Sequence, residues 1–352
     1  MVAGHEESMT SALRVAIIGA SGYTSLELLR WLLRHPQAQI AMLVSRKPEQ
    51  PISEIFPELL GRIELPITPF EPAAIAGQAD LVFLCVPHAT AMSYVPPLLA
   101  AGVRVIDLSA DYRLKDAGVY ESWYRHAHSD RENLIHAVYG LPDLCAAEIA
   151  AAKLVANPGC YPTSAILPLA PLIKAGLIGP QDIIVNSGSG ISGAGRNPSA
   201  QHHFPERNEA FEAYSIGAHR HAPEMAQALA AFGGRAVDIV FVPHLVPMDR
   251  GILSTIYVKP TVAGPVDRAL QAWRAAYGQS PFVRIRSSPL PSTKYVLNTN
   301  YIDMAICSYG RRWVITSALD NMVKGAAGQA IENMNLMAGY PQGMGLDAKG
   351  QK

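Results

Sequence analysis

One cysteine, Cys160, lies where the sequence changes from a strand pattern to a helix pattern. The apolar run 153–156 precedes it, Asn-Pro-Gly at 157–159 forces a turn, and a helical pattern follows as far as Gly176. We therefore expect the thiol at a helix N-terminus, where the helix dipole and free N–H groups lower the pKa of a thiol. This position favours a nucleophile, with a buried and inert cysteine as the alternative.

A glycine-rich turn after the first strand pattern predicts a dinucleotide site. It follows the apolar run 15–18 and opens a helix, with glycine in the first two fingerprint positions and Ser25 in the third. Amide N–H groups in such a turn can bind a pyrophosphate. The cofactor-binding residues expected here are Gly19, Ser21, Gly22, Tyr23 and Thr24.

The end of the second strand pattern, 40–44, indicates which dinucleotide binds. NAD-binding folds usually carry an acidic residue there for the ribose 2′-hydroxyl. This chain has Ser45, Arg46 and Lys47 instead. A hydroxyl group and two cations suit a 2′-phosphate, so we predict NADP; the alternative is that the two cations are ordinary solvated loop charges.

Two further strand ends should lie on the ligand side of the same sheet, because open α/β sheets bind ligands at the carboxyl ends of their strands. They are 86–89, where Pro87 stiffens the backbone beside the cofactor, and 107–113. Arg113 is placed to bind an anionic group near the nicotinamide. The alternative is a surface ion pair with a neighbouring aspartate.

A stretch of small residues at 187–196 follows the strand pattern 182–186. It is either a flexible linker or a loop whose backbone approaches a ligand closely. Its place between structured segments, with Arg196 at its end, favours a ligand loop. We assign Ser189 and Gly190 to cofactor binding and Arg196 to substrate binding.

The segment 217–224, Gly-Ala-His-Arg-His-Ala-Pro-Glu, leads into a helix pattern. Its histidines do not predict a metal site, because no third ligand stands at a zinc-like spacing and no HExxH motif is present. A catalytic thiol needs a base, and a Cys–His pair supplies one. Spacing alone does not decide between His219 and His221.

The first half of the chain alternates apolar strands with helices, which predicts a parallel sheet covered on both faces. The segment 118–142 is polar and aromatic without a clear period, and we expect it to cross irregularly to a second domain. The second half is rich in β-patterned runs and predicts an α+β unit with a mixed or antiparallel sheet. A last helix, ending at Met337, is rich in small residues that permit packing back onto the first domain.

Length and composition bound the class of protein. A chain of 352 residues is long enough for about two domains. Basic and acidic residues number 29 each, which gives no electrostatic case for nucleic acid or an anionic membrane. The four cysteines are scattered without CxxC spacing, which fits a reducing compartment, and Cys307 in an apolar run is expected in the core. Residues 1–12 lack signal-peptide features and no apolar run approaches a membrane span, so we expect a cytoplasmic protein.

Six motifs in order resemble the N-acetyl-γ-glutamyl-phosphate reductase family, the arginine-pathway relatives of aspartate-semialdehyde dehydrogenase. The motifs lie at 19–24, 107–113, 157–163, 192–196, 219–221 and 324–330. The resemblance implies an NADP-binding Rossmann domain at 14–157, completed by a C-terminal helix at 321–339. It also implies a catalytic and dimerisation domain at 158–320, and a homodimer or homotetramer.

The same resemblance implies roles for individual residues. Cys160 matches the nucleophile and His219 the general acid/base, while Arg113 matches a substrate-phosphate contact and Asn321 a contact to the nicotinamide carboxamide. The further substrate-binding residues expected around the His-Arg-His segment are Arg220, His221 and Glu224. Two departures from the family pattern are Ser25, where glycine is usual, and Gly188, where lysine is common.

The expected reaction is NADPH-dependent reduction of N-acetyl-γ-glutamyl phosphate to N-acetylglutamate semialdehyde and phosphate through a Cys160 thioester. Within the same chemistry, the alternative is the carrier-protein-linked aminoadipyl-phosphate reductase of lysine synthesis. An alternative from another class is a non-catalytic NADP-binding sensor. The expected partners are a small acyl-phosphate substrate and further copies of the chain, with no nucleic acid, membrane or metal.

Overall fold

Two seven-stranded sheets organise the residues that the structure, a computed structural model, describes: 12–45, 50–261 and 266–346. The strands of the first sheet are β1 (Leu13–Ile18), β2 (Ala38–Val44), β3 (Ile67–Thr68), β4 (Leu81–Leu84), β5 (Arg104–Asp107), β6 (Val138–Tyr139) and β7 (Leu154–Ala156). Every neighbouring pair in the order β3-β2-β1-β4-β5-β7-β6 is parallel. This confirms the predicted Rossmann-type sheet.

The helices of this part are α1 (Tyr23–Leu32), α2 (Ile52–Ile55), α3 (Pro72–Gln78), α4 (Val95–Ala100), α5 (Ala117–Tyr124), α6 (Arg131–His136) and α7 (Pro142–Ala151). The predicted irregular crossing at 118–142 is wrong, because α5, α6 and β6 fill it. Asp116 accepts hydrogen bonds from the first N–H groups of α5, and Asp130 caps α6 in the same way. Such caps satisfy N–H groups that a short helix otherwise leaves unbonded.

The second sheet is mixed, as predicted. Its strands are β8 (Ile183–Ser189), β9 (Glu212–Ala213), β10 (Ile239–Leu245), β11 (Ile252–Val258), β12 (Val283–Ile285), β13 (Ile302–Tyr309) and β14 (Arg312–Leu319), in the order β12-β13-β14-β11-β8-β10-β9. The ligand loop begins later than expected because β8 continues to Ser189. The Ser187 hydroxyl is buried and shares a 2.7 Å hydrogen bond with Ser254. Cys307 is exposed, so its predicted core position is wrong.

The remaining helices are α8 (Cys160–Lys174), α9 (Phe204–Arg207), α10 (His221–Gly233), α11 (Asp267–Tyr277), α12 (Thr293–Val296) and α13 (Gly328–Ala338). The helix α8 packs on β11 and β14 and is almost wholly buried, although two prolines, Pro168 and Pro171, lie in its interior. A proline removes the N–H that would bond the carbonyl four residues earlier. Here hydroxyl groups replace those donors: Ser317 bonds the Ser164 carbonyl at 2.6 Å, and Tyr277 bonds the Leu167 carbonyl at 2.6 Å.

The C-terminal segment returns to the first sheet, as predicted. It begins with a π-helical turn, Val323–Ala327, which we call the π-turn, and continues as α13. The Asn333 amide donates to the Gly140 carbonyl (3.0 Å) and to the Asn157 side-chain oxygen (2.9 Å), and His35 lies 2.9 Å from Asn335. None of the helices described is both long and apolar enough to cross a bilayer.

Candidate active site

Two cavities meet at Cys160. The first, which we call the glycine-turn cavity, has a volume of about 810 Å³ and is lined by the turn after β1, the end of β4 and the segment 192–198. The second, which we call the histidine cavity, has a volume of about 820 Å³ and is lined by Tyr214, His219 and Arg220. Cys160 and His221 line both cavities. The thiol therefore lies where a ligand in one cavity can meet a ligand in the other.

The structure distributes the predicted site residues over these two cavities. The glycine-turn cavity is lined by Gly19, Ser21, Gly22, Tyr23, Thr24, Ser45, Pro87, Arg113, Arg196 and Asn321. The histidine cavity is lined by His219, Arg220, His221, Ser189 and Gly190. Ser189 and Gly190 line the histidine cavity next to Gly193, which lines both cavities, so their assignment to the cofactor stays a prediction. Arg46 lies outside the described residues.

The glycine turn has the geometry of a dinucleotide cradle. Gly19 has φ +87°, and a Cβ on it would lie 2.3 Å from the Cys85 carbonyl oxygen, so only glycine fits. The first N–H groups of α1 have no side-chain cap, which leaves them for an anion. The Ser25 hydroxyl donates to the Gly19 carbonyl at 2.7 Å, so the serine in the third position stabilises the turn. These residues fit a dinucleotide.

Arg113 is built into the turn that precedes Cys160. Its Nε donates to the Asn157 carbonyl at 2.8 Å, one Nη donates to the Leu108 carbonyl at 3.0 Å, and the other pairs with Glu224 at 3.3 Å. A guanidinium group has five N–H donors. Two therefore remain for an anion in the glycine-turn cavity.

Glu224 lines neither cavity, which corrects its predicted contact with the substrate. The side chain is fully buried and accepts hydrogen bonds from the Gly159 N–H (2.8 Å) and the Tyr139 hydroxyl (2.8 Å), as well as from Arg113. Its carboxylate therefore joins the backbone of the cysteine turn to the arginine. Glu224 fixes the positions of groups that face the ligands.

Cys160 opens α8, as predicted, but its ionisation differs from the prediction. Burial raises the pKa of the Cys160 thiol to about 11, and the Tyr161 N–H and the Arg113 guanidinium lower it only in part. The expectation of a depressed pKa is wrong, because the free-energy cost of removing the thiolate from water exceeds the stabilisation that the helix N-terminus gives it. A neutral thiol needs a base when it attacks.

Two neutral imidazoles lie on the histidine side. Burial lowers the pKa of His219 to about 4 and that of His221 well below its usual value. The His221 backbone N–H donates to His219 Nδ1 at 3.1 Å, so a neutral His219 carries its proton on Nε2, 3.3 Å from the Tyr214 hydroxyl. His221 is closer to the cysteine turn: a Cβ on Gly159 would lie 2.5 Å from its Nε2.

Two tyrosines that the sequence did not predict as site residues lie beside these histidines. The Tyr214 hydroxyl donates to the Tyr161 hydroxyl at 3.2 Å, and Tyr161 donates to the His244 carbonyl at 3.3 Å. Tyr161 directly follows the nucleophile, which was a usable signal. Tyr214 lies in a polar stretch without periodicity, and only the fold brings it to His219.

Comparisons with known proteins identify similar domains and relatives. The chain matches the family model of the semialdehyde dehydrogenase NAD-binding domain over residues 14–152, and that of the semialdehyde dehydrogenase dimerisation domain over residues 160–321. An N-acetyl-gamma-glutamyl-phosphate reductase from Rhodopirellula baltica is 48% identical over 343 residues, which cover 96% of this chain and 99% of that protein. One from Geobacter sp. is 49% identical over 342 residues, which cover 95% of this chain and 98% of that protein.

The chain belongs to the N-acetyl-γ-glutamyl-phosphate reductase family. This confirms the resemblance that the motifs indicated. Solved structures with the same fold include aspartate semialdehyde dehydrogenase with NADP from Candida albicans, with a TM-score of 0.71 at 15% identity over 93% of this chain and 99% of that one. Aspartate semialdehyde dehydrogenase II from Vibrio cholerae, complexed with ASA, has a TM-score of 0.70 at 14% identity over 94% and 99%. At such identity the likeness shows the fold alone.

The raised pKa of Cys160 predicts how the free protein reacts with iodoacetamide. Only the thiolate reacts, so below the pKa the rate at Cys160 rises about tenfold per pH unit and levels off near pH 11. Peptide mapping by mass spectrometry follows Cys160 separately from the exposed Cys307, the internal control. A rate at Cys160 that is already constant below pH 8 would mean that the helix N-terminus dominates after all.

Proposed function

We propose that the protein reduces N-acetyl-γ-glutamyl phosphate to N-acetylglutamate semialdehyde and phosphate, with NADPH as reductant and a thioester on Cys160 as intermediate. The observation that carries this proposal is the position of the thiol, which lines both a dinucleotide cradle and a cavity with neutral imidazoles and Arg220. The reductase names of relatives about half identical over nearly the whole chain support the same substrate.

The attack begins with a proton transfer. The Cys160 sulfur bonds to the γ-acyl carbon, the bond from that carbon to the phosphate oxygen breaks, and the thiol proton passes to a neutral imidazole. We assign this base to His219, whose pKa of about 4 keeps it unprotonated at neutral pH. The lone pair that takes the proton is on Nδ1, because Nε2 already carries a proton, so Nδ1 exchanges its 3.1 Å hydrogen bond from the His221 N–H for the thiol proton. A neutral base beside a neutral thiol avoids a buried charge before substrate arrives, and the charge develops only as the sulfur attacks.

Phosphate departs from a site that already holds positive charge. The two free N–H groups of Arg113 are offered to the phosphate, and burial strengthens these bonds. Arg196 at the rim of the glycine-turn cavity is a second cation: its guanidinium donates to the Ser21 carbonyl at 3.3 Å and lies over the Phe56 ring. An acyl phosphate carries a good leaving group, so positioning and anion binding are the main requirements.

The glycine-turn cavity fits NADPH, which when bound supplies the hydride that reduces the thioester. The turn at 19–24 would hold its pyrophosphate and Ser45 its 2′-phosphate. Asn321 is already oriented, because its side-chain oxygen accepts from the Gly251 N–H at 2.7 Å and its amide donates to Ser192 at 3.0 Å. Reduction leaves a tetrahedral oxyanion on the Cys160 sulfur; as its C=O bond re-forms and its C–S bond breaks to release the aldehyde, the protonated His219 returns its proton to the sulfur.

Two alternatives have less support than this reaction. A non-catalytic sensor would not need a thiol at the junction of both cavities. A carrier-linked substrate requires an acidic carrier protein, and the balanced charge of the chain gives no electrostatic argument for binding one.

We further propose a division into a domain of 14–157 with 321–339 and a domain of 158–320, and a homodimer or homotetramer formed through the second sheet. The helix α8 covers one face of that sheet. On the other face, Val240 of β10 and Leu253 of β11 point the same way by strand register and are 53% and 37% exposed. Apolar side chains on an uncovered sheet face mark a contact surface.

The reaction itself is tested with Cys160→Ser. We expect phosphate-dependent reduction of NADP by N-acetylglutamate semialdehyde to fall about 1000-fold or more, because an alcohol is a far weaker nucleophile than a thiol at neutral pH. NADPH binding, followed by fluorescence, should be unchanged. Near-wild-type turnover by this variant would exclude the thioester. Faster turnover by the wild type with aspartate or aminoadipate semialdehyde would mean that the substrate is not the one proposed.

The two histidines are separated by His219→Asn and His221→Asn. We expect the first to lower kcat about 100-fold or more, since general base catalysis is worth that much. The second should cost less, because the backbone N–H of residue 221 still orients His219. For the wild type, kcat/KM should fall as pH drops through about 4, where His219 becomes protonated. The reverse order of the two variants would assign the base to His221.

The assembly is tested with Leu253→Glu. A charge on the proposed contact face should shift the mass measured by light scattering from a dimer or tetramer toward the monomer, because burying an unpaired carboxylate is costly. The control Leu60→Glu, at a position 72% exposed outside the second sheet, should leave the mass unchanged. A wild-type protein that is monomeric at micromolar concentration contradicts the proposal.

A further inference from the structure

The π-turn forms a wall directly against the nucleophile. The Gly325 N–H donates to the Asp320 carbonyl at 2.9 Å and the Ala327 N–H to the Met322 carbonyl at 3.0 Å, each five residues back. A Cβ on Gly325 would lie 2.8 Å from the Cβ of Cys160 and 3.2 Å from its Cα. No side chain fits between them, so the backbone of the π-turn and the Cys160 backbone are in contact.

A buried cation anchors this turn. Lys324, the residue before that glycine, has no exposed side-chain surface, and its ammonium group lies 2.8 Å from Asp143 at the start of α7 and 2.7 Å from Glu332 of α13. Both carboxylates are also fully buried. We call these three residues the Lys324 triad; it ties the π-turn to α7 and to α13.

The triad is itself held in place. Glu332 accepts hydrogen bonds from the Asn300 amide at 2.8 Å and from the Gln342 amide at 2.7 Å. Burial opposes the charge on Lys324, but the two carboxylates outweigh it and raise the pKa of the ammonium group. Its charge therefore persists across the working pH range of the enzyme.

An ionic group of this kind is a poor device for stability alone. Taking three charges out of water is expensive, and apolar residues of similar volume often serve a core equally well. What the ion pairs provide is a fixed geometry, because an ammonium group held between two fixed carboxylates can occupy only one position. A π-turn is a rare conformation that occurs often at functional sites, and it needs such a constraint to keep its register.

We propose that Lys324 is a positioning residue for the reductase reaction: the Lys324 triad fixes the π-turn so that Gly325 sets the position of Cys160. A second link carries the same constraint, since the Asn157 amide of the cysteine turn donates to the Ala326 carbonyl of the π-turn at 3.2 Å. The inference rests on the proposed function in that Cys160 is the nucleophile. Lys324 itself lines neither cavity and touches no reacting atom.

The test removes all three charges together, in Lys324→Met with Asp143→Asn and Glu332→Gln, so that no carboxylate is left buried without a partner. The matched control removes a second three-residue ionic cluster with a buried carboxylate, Arg284→Met and Arg286→Met with Asp303→Asn, at β12 and β13 and outside the lining of both cavities. Each variant is measured for NADPH binding, kcat, KM and the iodoacetamide rate of Cys160 at pH 9.

We expect the triple variant to bind NADPH and to lose kcat about 100-fold, since a displacement of about 1 Å at a reacting atom costs that much. Its KM for the acyl phosphate should change less than about threefold, and the alkylation rate of Cys160 should change about fivefold or more. The control variant should keep its kcat and its alkylation rate. A folded triple variant with both quantities unchanged would overturn the proposal.

Gly325→Ala decides the question if the triple variant does not fold. It leaves the Lys324 triad intact and places a methyl group against Cys160, so we expect the same loss of kcat and the same change in alkylation; wild-type values for both overturn the proposal. The alkylation measurement needs no substrate. A wild type inactive with N-acetylglutamate semialdehyde would therefore refute the proposed function, and the alkylation rates of Cys160 would still test the positioning role of Lys324.

Discussion

The site depends on one constraint: Cys160, the proposed nucleophile, is half-buried where two cavities meet. Its partial removal from water raises the pKa of the thiol to about 11, so the helix N-terminus alone does not supply a thiolate. The same burial keeps His219 and His221 neutral. Thiol and imidazole are both uncharged at rest, and the ion pair forms only during attack.

Fixed donors and acceptors surround the turn at 157–159, whose residues are buried. Glu224 takes up the Gly159 N–H and pairs with Arg113, which in turn bonds the Asn157 carbonyl. The backbone of the π-turn is in contact with Cys160 at Gly325. A buried polar group without partners is costly, so each of these bonds restricts the turn to one conformation. Rigidity of the nucleophile is the functional result.

The two sheets meet at this turn, and each supplies one half of the chemistry. The parallel sheet presents the glycine turn, Pro87 and Arg113 at the carboxyl ends of its strands. The second sheet and α10 present Tyr214 and the histidines. The C-terminal segment then crosses back and places Asn321 and the π-turn between them. Cys160 lies where the two cavities meet, so each cavity opens onto the thiol.

The sequence by itself determined the fold class, the glycine turn, the position of Cys160 at the start of a helix and the family. These follow from local patterns: apolar runs, turn residues and short motifs act over a few neighbours in the chain. The tertiary structure alone decided the pKa of the thiol, the role of Glu224, the cavity that Ser189 and Gly190 line, and the helices at 118–142. It also brought Tyr214 to His219 and enclosed Lys324 between two carboxylates. Burial and charge pairing join residues distant in the chain, and they depend on distances that no local pattern encodes.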